Sequence, residues 1–196
     1  KIMDENLVSN QKTVLVVDDE IAIVELLKHH LTLEGYNVLE ANEGFRPSSE
    51  IKMHLRIYKE RPDVNAVVHA HPMYATTYAI AGKPLMAPIM PEAVIFLGGV
   101  PLAKYGTPGT FEVPDSIMEF LPDYDAVLLE NHGALSYSDT LLNAYHKMES
   151  VEFYARLMYQ TEMIGGAQIL NEERVEQLYD IRRNMNLAGK HPCLKK

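Results

Sequence analysis

The sequence predicts an α/β fold on three observations: a β-branched run at residues 13–17, apolar residues at helical spacing directly after it, and an alternating apolar strand at residues 63–71 preceded by a second helix. The chain has 196 residues, enough for one large domain or an ordinary domain with an extra piece, and it can bury a core. With 47% hydrophobic and 23% charged residues it excludes the disordered, collagenous and low-complexity classes. A net charge of −9 argues against a broad footprint for nucleic acid or anionic lipid. No apolar run approaches the ~18 residues of a membrane span. The single cysteine, Cys193, excludes an internal disulfide framework, is expected to be an inert tail thiol, and fits a reducing, cytoplasmic setting.

In chain order, residues 13–17 read as a buried parallel strand, and Asp18 and Asp19 as a helix cap and a solvated strand end. Ile23, Leu26, Leu27, Leu31 and Leu33 form the apolar stripe of the following helix, which Gly35 ends, and residues 36–40 return as a second strand, making a βαβ unit. This first stretch is the most acidic part of the chain, with four basic and nine acidic side chains in residues 1–46. Lys-Thr-Val-Leu-Val-Val-Asp-Asp-Glu at 12–20, with Glu-Gly-Tyr-Asn-Val-Leu-Glu-Ala-Asn-Glu-Gly at 34–44, resembles the opening of a response-regulator receiver domain. In that family the acid pair helps hold Mg²⁺ beside a phosphorylated aspartate at the end of a third strand. Neither that segment nor the later lysine strand follows, so phosphorelay function is not expected.

After Pro47 the chemistry-bearing residues begin. Ser48, Ser49 and Glu50 precede a helix reading Ile51, Leu55, Tyr58 and stopping before Pro62. The two serines are plain caps or, with the free N–H groups of a helix start, a phosphate cradle. In the strand at 63–71, residues two apart share a face, so His69 and His71 project together; an isolated His-x-His pair is equally a packing or surface feature. His132, after a strand at 126–130, sits beside Gly133, whose freedom could turn its ring back toward that pair. Three histidines with an open position describe a Lewis-acid zinc site. Residues 139–165 read as one long helix with a stripe of Leu141, Tyr145, Met148, Ala155 and Met158. The glycine turn at 97–101 lacks the strand–helix frame of a dinucleotide fingerprint. His54, one turn after Glu50, either steadies it or packs, and His29 and His30 read as surface residues.

Pro-Ser-Ser-Glu at 47–50, Met-His-Leu-Arg-Ile-Tyr at 53–58, Arg-Pro-Asp-Val-Asn-Ala-Val-Val-His-Ala-His at 61–71, Tyr-Gly-Thr-Pro-Gly-Thr at 105–110 and Glu-Asn-His-Gly-Ala at 130–134 together resemble the class II aldolase family, that of L-fuculose-1-phosphate aldolase and L-ribulose-5-phosphate 4-epimerase. The resemblance implies a three-layer domain with a largely antiparallel central sheet flanked by helices, in a homotetramer with active sites between subunits. It implies that His69, His71 and His132 bind Zn²⁺, that Glu50 is the fourth ligand at rest and the base once substrate displaces it, and that Ser48 and Ser49 hold part of a substrate phosphate. The chemistry is coherent, because a divalent cation stabilises the developing charge of an enediolate while a carboxylate takes the carbon-bound proton. The implied reaction cleaves a sugar 1-phosphate such as L-fuculose 1-phosphate to dihydroxyacetone phosphate and an aldehyde, with the pentulose-phosphate 4-epimerase reaction as the alternative within the family.

Two departures stand beside the match. The family's opening strands and Gly-Thr-x-Gly-Asn phosphate loop are absent, their place taken by the receiver-like piece. The family's tyrosine acid has no counterpart where ungapped register would put it, at Met90 or Met185; Tyr105 and Tyr179 read as packing residues. Two incomplete signatures abutting near residues 44–47 suggest a chimera, active or reduced to metal binding. Its first 46 residues are too few to fold alone and are expected to share the core of residues 47–196, joining or flanking that sheet.

Overall fold

β-Branched and apolar residues make Thr13–Asp18 a strand (β1), followed by the helix Ile21–Leu33 (α1) and the strand Asn37–Asn42 (β2). The computed structural model describes residues 13–18, 21–42 and 49–194, and two compact units divide between residues 51 and 52. β1 and β2 pair in parallel from Thr13↔Asn37 to Asp18↔Asn42, as the βαβ reading requires, and extend two residues past the expected end of β2. α1 ends where Gly35 turns left-handed at φ 87°, with Tyr36 N–H donating to Leu31 O (2.9 Å) and Gly35 N–H to Thr32 O (3.0 Å). Of the predicted stripe, Leu31 is buried and Leu33 is exposed; the side chains of Ile23, Leu26, Leu27 and Asp18, and all of Asp19, lie outside the described residues. β1 and β2 form a two-stranded sheet of their own.

The second unit is built on a four-stranded sheet of Ala66–Ala70 (β3), Leu102–Ala103 (β4), Ala126–Leu129 (β5) and Gly133–Ser138 (β6), in the order β3-β6-β5-β4. β3/β6 and β6/β5 are antiparallel and β5/β4 parallel, so the sheet is largely antiparallel. Strand alternation divides the core in two. Ala126, Leu128 and Ala134 pack with the helices Met73–Ile80 (α3) and Leu141–Glu162 (α5) and with a π-helical turn, Ala93–Leu97. Val67, Val127, Leu129, Leu135 and Tyr137 pack with Ile51–Glu60 (α2) and Glu112–Ser116 (α4). Helices on both faces of one sheet give the expected three layers.

The helical stripes differ from their predicted positions. On α2 the fully buried residues are Met53 and Ile57, while Leu55 and Tyr58 are only half-buried, because the face meeting the sheet is two residues out of phase with the Ile51–Leu55 spacing. On α5 the buried residues are Ala144, Met148, Val151, Tyr154 and Ala155, whereas Leu141 and Tyr145 are 67% and 50% exposed. Thr140 caps α5 by accepting from Asn143 N–H, which starts the helix two residues later than expected.

At the end of the sheet where β5 begins and β6 finishes lies a buried ion network. Arg61, 3% exposed, donates to Asp63 (2.7 and 2.8 Å), Asp125 (2.7 Å) and Leu121 O (2.8 Å), and its guanidinium lies 5.5 Å from the Tyr137 ring centre. Lys147 of α5 meets the other Asp125 oxygen at 2.7 Å. After the helix Glu172–Asn184 (α6), the chain docks here: Lys190 N–H donates to both Asp125 oxygens (3.1 Å), and buried His191 donates from Nε2 to Val94 O (2.7 Å) while its Nδ1 accepts from Cys193 N–H. A side chain on Gly98 would meet the His191 ring at 2.6 Å, so the glycine turn makes room for the chain's own C-terminal segment. The segment read as a tail is therefore packed, and burial pushes the Cys193 thiol up.

Candidate metal centre

The opposite end of the same sheet brings the three predicted histidines together. Val67 packs toward α2 and α4, so His69, two residues on, projects from that face at the end of β3. It pairs with Leu135 of β6, and its Nδ1 lies 3.1 Å from Ala134 O. A carbonyl only accepts, so Nδ1 carries the hydrogen and Nε2 presents its lone pair. His71 lies one residue beyond the strand, which ends at Ala70 rather than at His71. His132 stands in the turn joining β5 to β6, its N–H donating to Leu129 O (3.0 Å).

Ring centres are 5.0 Å apart for His69–His71, 4.8 Å for His69–His132 and 5.1 Å for His71–His132. One nitrogen from each ring lies within 4.8 Å of the other two, so a common point lies within about 2.8 Å of all three, against ~2.0–2.1 Å for a zinc–imidazole bond. Small ring rotations close that difference, and three neutral nitrogen donors suit a borderline divalent cation such as zinc. The donor set fits the ion the sequence implied.

The turn that aims His132 works differently from its reading in sequence. Gly133 is not left-handed; Asn131 is, at φ 53°, in the third position of the Leu129–His132 turn where asparagine or glycine is favoured. Gly133 is required for space instead: a Cβ there would stand 2.6 Å from Ala70 O and overlap the His71 ring. Glu130, in the same turn, accepts from Tyr105 N–H at 2.8 Å and so ties the 105–110 loop to the histidine turn. Neither role shows in the motif, although an asparagine just before the histidine was a signal for a left-handed turn.

Among the other sequence-predicted residues, Glu50 is buried and accepts from the Ser49 hydroxyl at 3.1 Å. Glu50 and Ser49 belong to the first unit and the three histidines to the second. Ser48 lies outside the described residues. Tyr105 is 54% exposed, which corrects its reading as a packing residue, whereas Tyr179 does pack, edge-on to His191 at 5.4 Å. Met90 is half-buried against the core and Met185 is exposed at the end of α6. His29 and His30 are exposed, as expected.

A three-histidine cluster at the end of a largely antiparallel sheet sandwiched between helices is a group able to hold a metal ion, and similarity identifies the chain's family. The model of the class II aldolase and adducin N-terminal domain family matches residues 16–159, and the chain belongs to that family. It is 41% identical over 150 residues to the 5-deoxy-D-ribulose 1-phosphate aldolase of Bacillus thuringiensis serovar kurstaki, covering 76% of this chain and 68% of that protein. It is 39% identical over 112 residues to the L-fuculose phosphate aldolase of Methanococcus vannielii, covering 57% of this chain and 60% of the relative. A solved L-fuculose 1-phosphate aldolase superposes with a TM-score of 0.67 at 32% identity, covering 78% of this chain and 69% of that one. The chain thus spans 60% to 69% of the length of these relatives. The family match begins at residue 16, inside the receiver-like stretch, so it does not set that stretch apart as foreign. Among the described residues no helix is long and apolar enough to cross a membrane.

Proposed function

We propose that the chain is a zinc-dependent aldolase acting on a sugar 1-phosphate, cleaving it to dihydroxyacetone phosphate and an aldehyde. The reading is carried by one observation: three imidazoles from two separate chain segments present ligating atoms within 4.8 Å of one another. A bound divalent cation withdraws electron density from the substrate's hydroxy-ketone oxygens and stabilises the charge that develops there. His69, His71 and His132 would hold it, with His69 kept in the required tautomer by the Ala134 carbonyl. By the family resemblance Glu50 would be the fourth ligand at rest and, in the condensation direction, its carboxylate would take the carbon-bound proton of dihydroxyacetone phosphate; in the cleavage direction it would return one. By the same resemblance Ser48 and Ser49 would hold part of the substrate phosphate. The family relatives support the reaction class; the resemblance supports a homotetramer, and the single cysteine supports a cytoplasmic setting.

A second reading rests on the sequence alone, on the missing Gly-Thr-x-Gly-Asn motif and the receiver-like resemblance of residues 12–45: a recombined chimera that binds metal without turnover. Two measurements decide. Protein purified without chelator should carry about one zinc per chain, and His69→Ala should abolish it; under half an equivalent, unchanged by the substitution, removes the metal reading. An aldol-cleavage assay with L-fuculose 1-phosphate and 5-deoxy-D-ribulose 1-phosphate, with L-ribulose 5-phosphate epimerisation alongside, then separates aldolase from epimerase and from inactive chimera.

A further inference from the structure

The three histidines are not fixed equally. His69 is held within the sheet by its pairing with Leu135 and through its ring by Ala134 O. The turn carrying His132 is pinned by its own hydrogen bond to Leu129 O and by Asn131 N–H donating to Ala79 O (3.3 Å). His71 lies beyond the last paired residue of β3, is exposed, and among the described residues receives no hydrogen bond to its ring. Its direction depends on the backbone that flanks it, which is Ala70 on one side and Pro72 with α3 on the other.

The start of α3 cannot hold itself. Pro72 occupies its N-cap position at φ −66° and ψ 141° and offers no side-chain acceptor, and a helix of eight residues is marginal without outside support. The missing acceptor comes from α5. Glu152 takes Tyr74 N–H on Oε1 (3.0 Å) and Ala75 N–H on Oε2 (2.9 Å), a two-pronged, charge-assisted cap on the positive end of α3. α5 is itself anchored on both sides of this residue by fully buried Val151, Tyr154 and Ala155. Arg156, one turn on, lies over the Tyr74 ring at 5.8 Å. Between the clamped amides and His71 stand two residues, of which Pro72 has a locked φ, so few torsions can absorb a movement of the helix start. On its other side the His71 ring lies against Gly133, where even a methyl group would not fit.

We propose that Glu152 is a positioning residue for the metal centre, clamping the first turn of α3 so that His71 points at the other two imidazoles; this rests on reading the three histidines as metal ligands. Glu152 acts through the backbone and does not itself ligate.

The test uses the full chain, titrating Zn²⁺ against a chromophoric chelator and recording the visible spectrum of the Co²⁺ form. Glu152→Ala should weaken Zn²⁺ binding about 10–100-fold, the range for loss of a residue that orients a ligand, and should shift the Co²⁺ bands. Glu152→Gln keeps one carbonyl oxygen for the two amides and should recover part of the loss. Val151→Ala removes core packing from the neighbouring position and should lower the melting temperature while leaving affinity within about twofold of wild type, well inside the effect expected of the clamp. Wild-type affinity in Glu152→Ala, no recovery in Glu152→Gln, or an equal loss in Val151→Ala each overturns the clamp. Should Glu152→Ala not fold, Glu152→Asp, which withdraws the carboxylate by one methylene, serves on the same terms. Failure of the wild-type protein to bind Zn²⁺ overturns the underlying metal reading as well, whereas tight wild-type binding with an unaffected Glu152→Ala overturns this inference alone.

Discussion

The two ends of the four-stranded sheet hold polar clusters of opposite character. At one end Arg61, Asp63, Asp125 and Lys147 are paired to one another and to backbone carbonyls, Arg61 and Asp125 being almost wholly buried. At the other, three imidazoles converge in partly exposed positions, one ligating nitrogen of each within 4.8 Å of the others. A charge cluster whose demands are met within the protein stabilises and binds nothing further; a cluster of donors aimed at one point is left with capacity for a ligand.

If the contrast is right, the first end should govern stability and the second should govern metal. The largest effect is expected from Asp125→Ala, which takes one of two carboxylate partners from buried Arg61 and the carboxylate partner from Lys147 and should cost about 3–5 kcal/mol in denaturant unfolding, with metal binding retained by the protein that remains folded. Next comes the C-terminal segment bound to that end. Burial, opposed in part by the bond to Val94 O, depresses the His191 imidazole to about 4. The unfolded chain therefore binds a proton near pH 6.5 that the folded chain refuses until about 4. Stability is fully present above pH 6.5 and falls as pH drops through that window, by on the order of 3 kcal/mol. His191→Gln should flatten this part of a stability-against-pH curve; an unchanged slope would show that His191 is not its source. Asp63 adds to the acid side, since hydrogen bonding to Arg61 lowers its carboxyl and that contribution is lost only as pH falls below the ordinary carboxylate range.

Smaller effects sharpen the other end. Gly133→Ala forces a methyl group against Ala70 O and the His71 ring, and should cost about 1–3 kcal/mol together with roughly tenfold or more in Zn²⁺ affinity. Equal affinity in that variant would remove Gly133 from the site. Smallest is Asn131→Ala, about 1 kcal/mol for a side chain held at positive φ, with Asn131→Gly within a few tenths of wild type in thermal melts.

Much of this was legible in the sequence because the signals were local or periodic. The His-x-His pair at the end of an alternating strand, Gly35 as a helix stop, and the parallel pairing of β1 with β2 are short-range consequences of side-chain spacing. The convergence of His132 needed the order of the motifs, which the family resemblance supplied. What could not be read depended on tertiary partners. Leu141 and Tyr145 lie on the α5 stripe by spacing, yet the sheet meets α5 along Ala144, Met148 and Val151, and nothing in a helical period says which of two overlapping stripes finds a neighbour. Glu152 and His191 were invisible for the same reason: their partners are 78 and 97 residues away in the chain.

The joint between β5 and β6 carries a last consequence. Alternate residues of these strands serve different cores, and three residues, Glu130, Asn131 and His132, make up the whole connection. Inserting a single amino acid within either strand would exchange the two interiors downstream of it, and an insertion in β5 would also point the third imidazole away from its companions. Length polymorphism in this hairpin should therefore be purged in an insertion-scanning library, while the surface connection after α5, with Gly165 and Gly166 in open space, absorbs it.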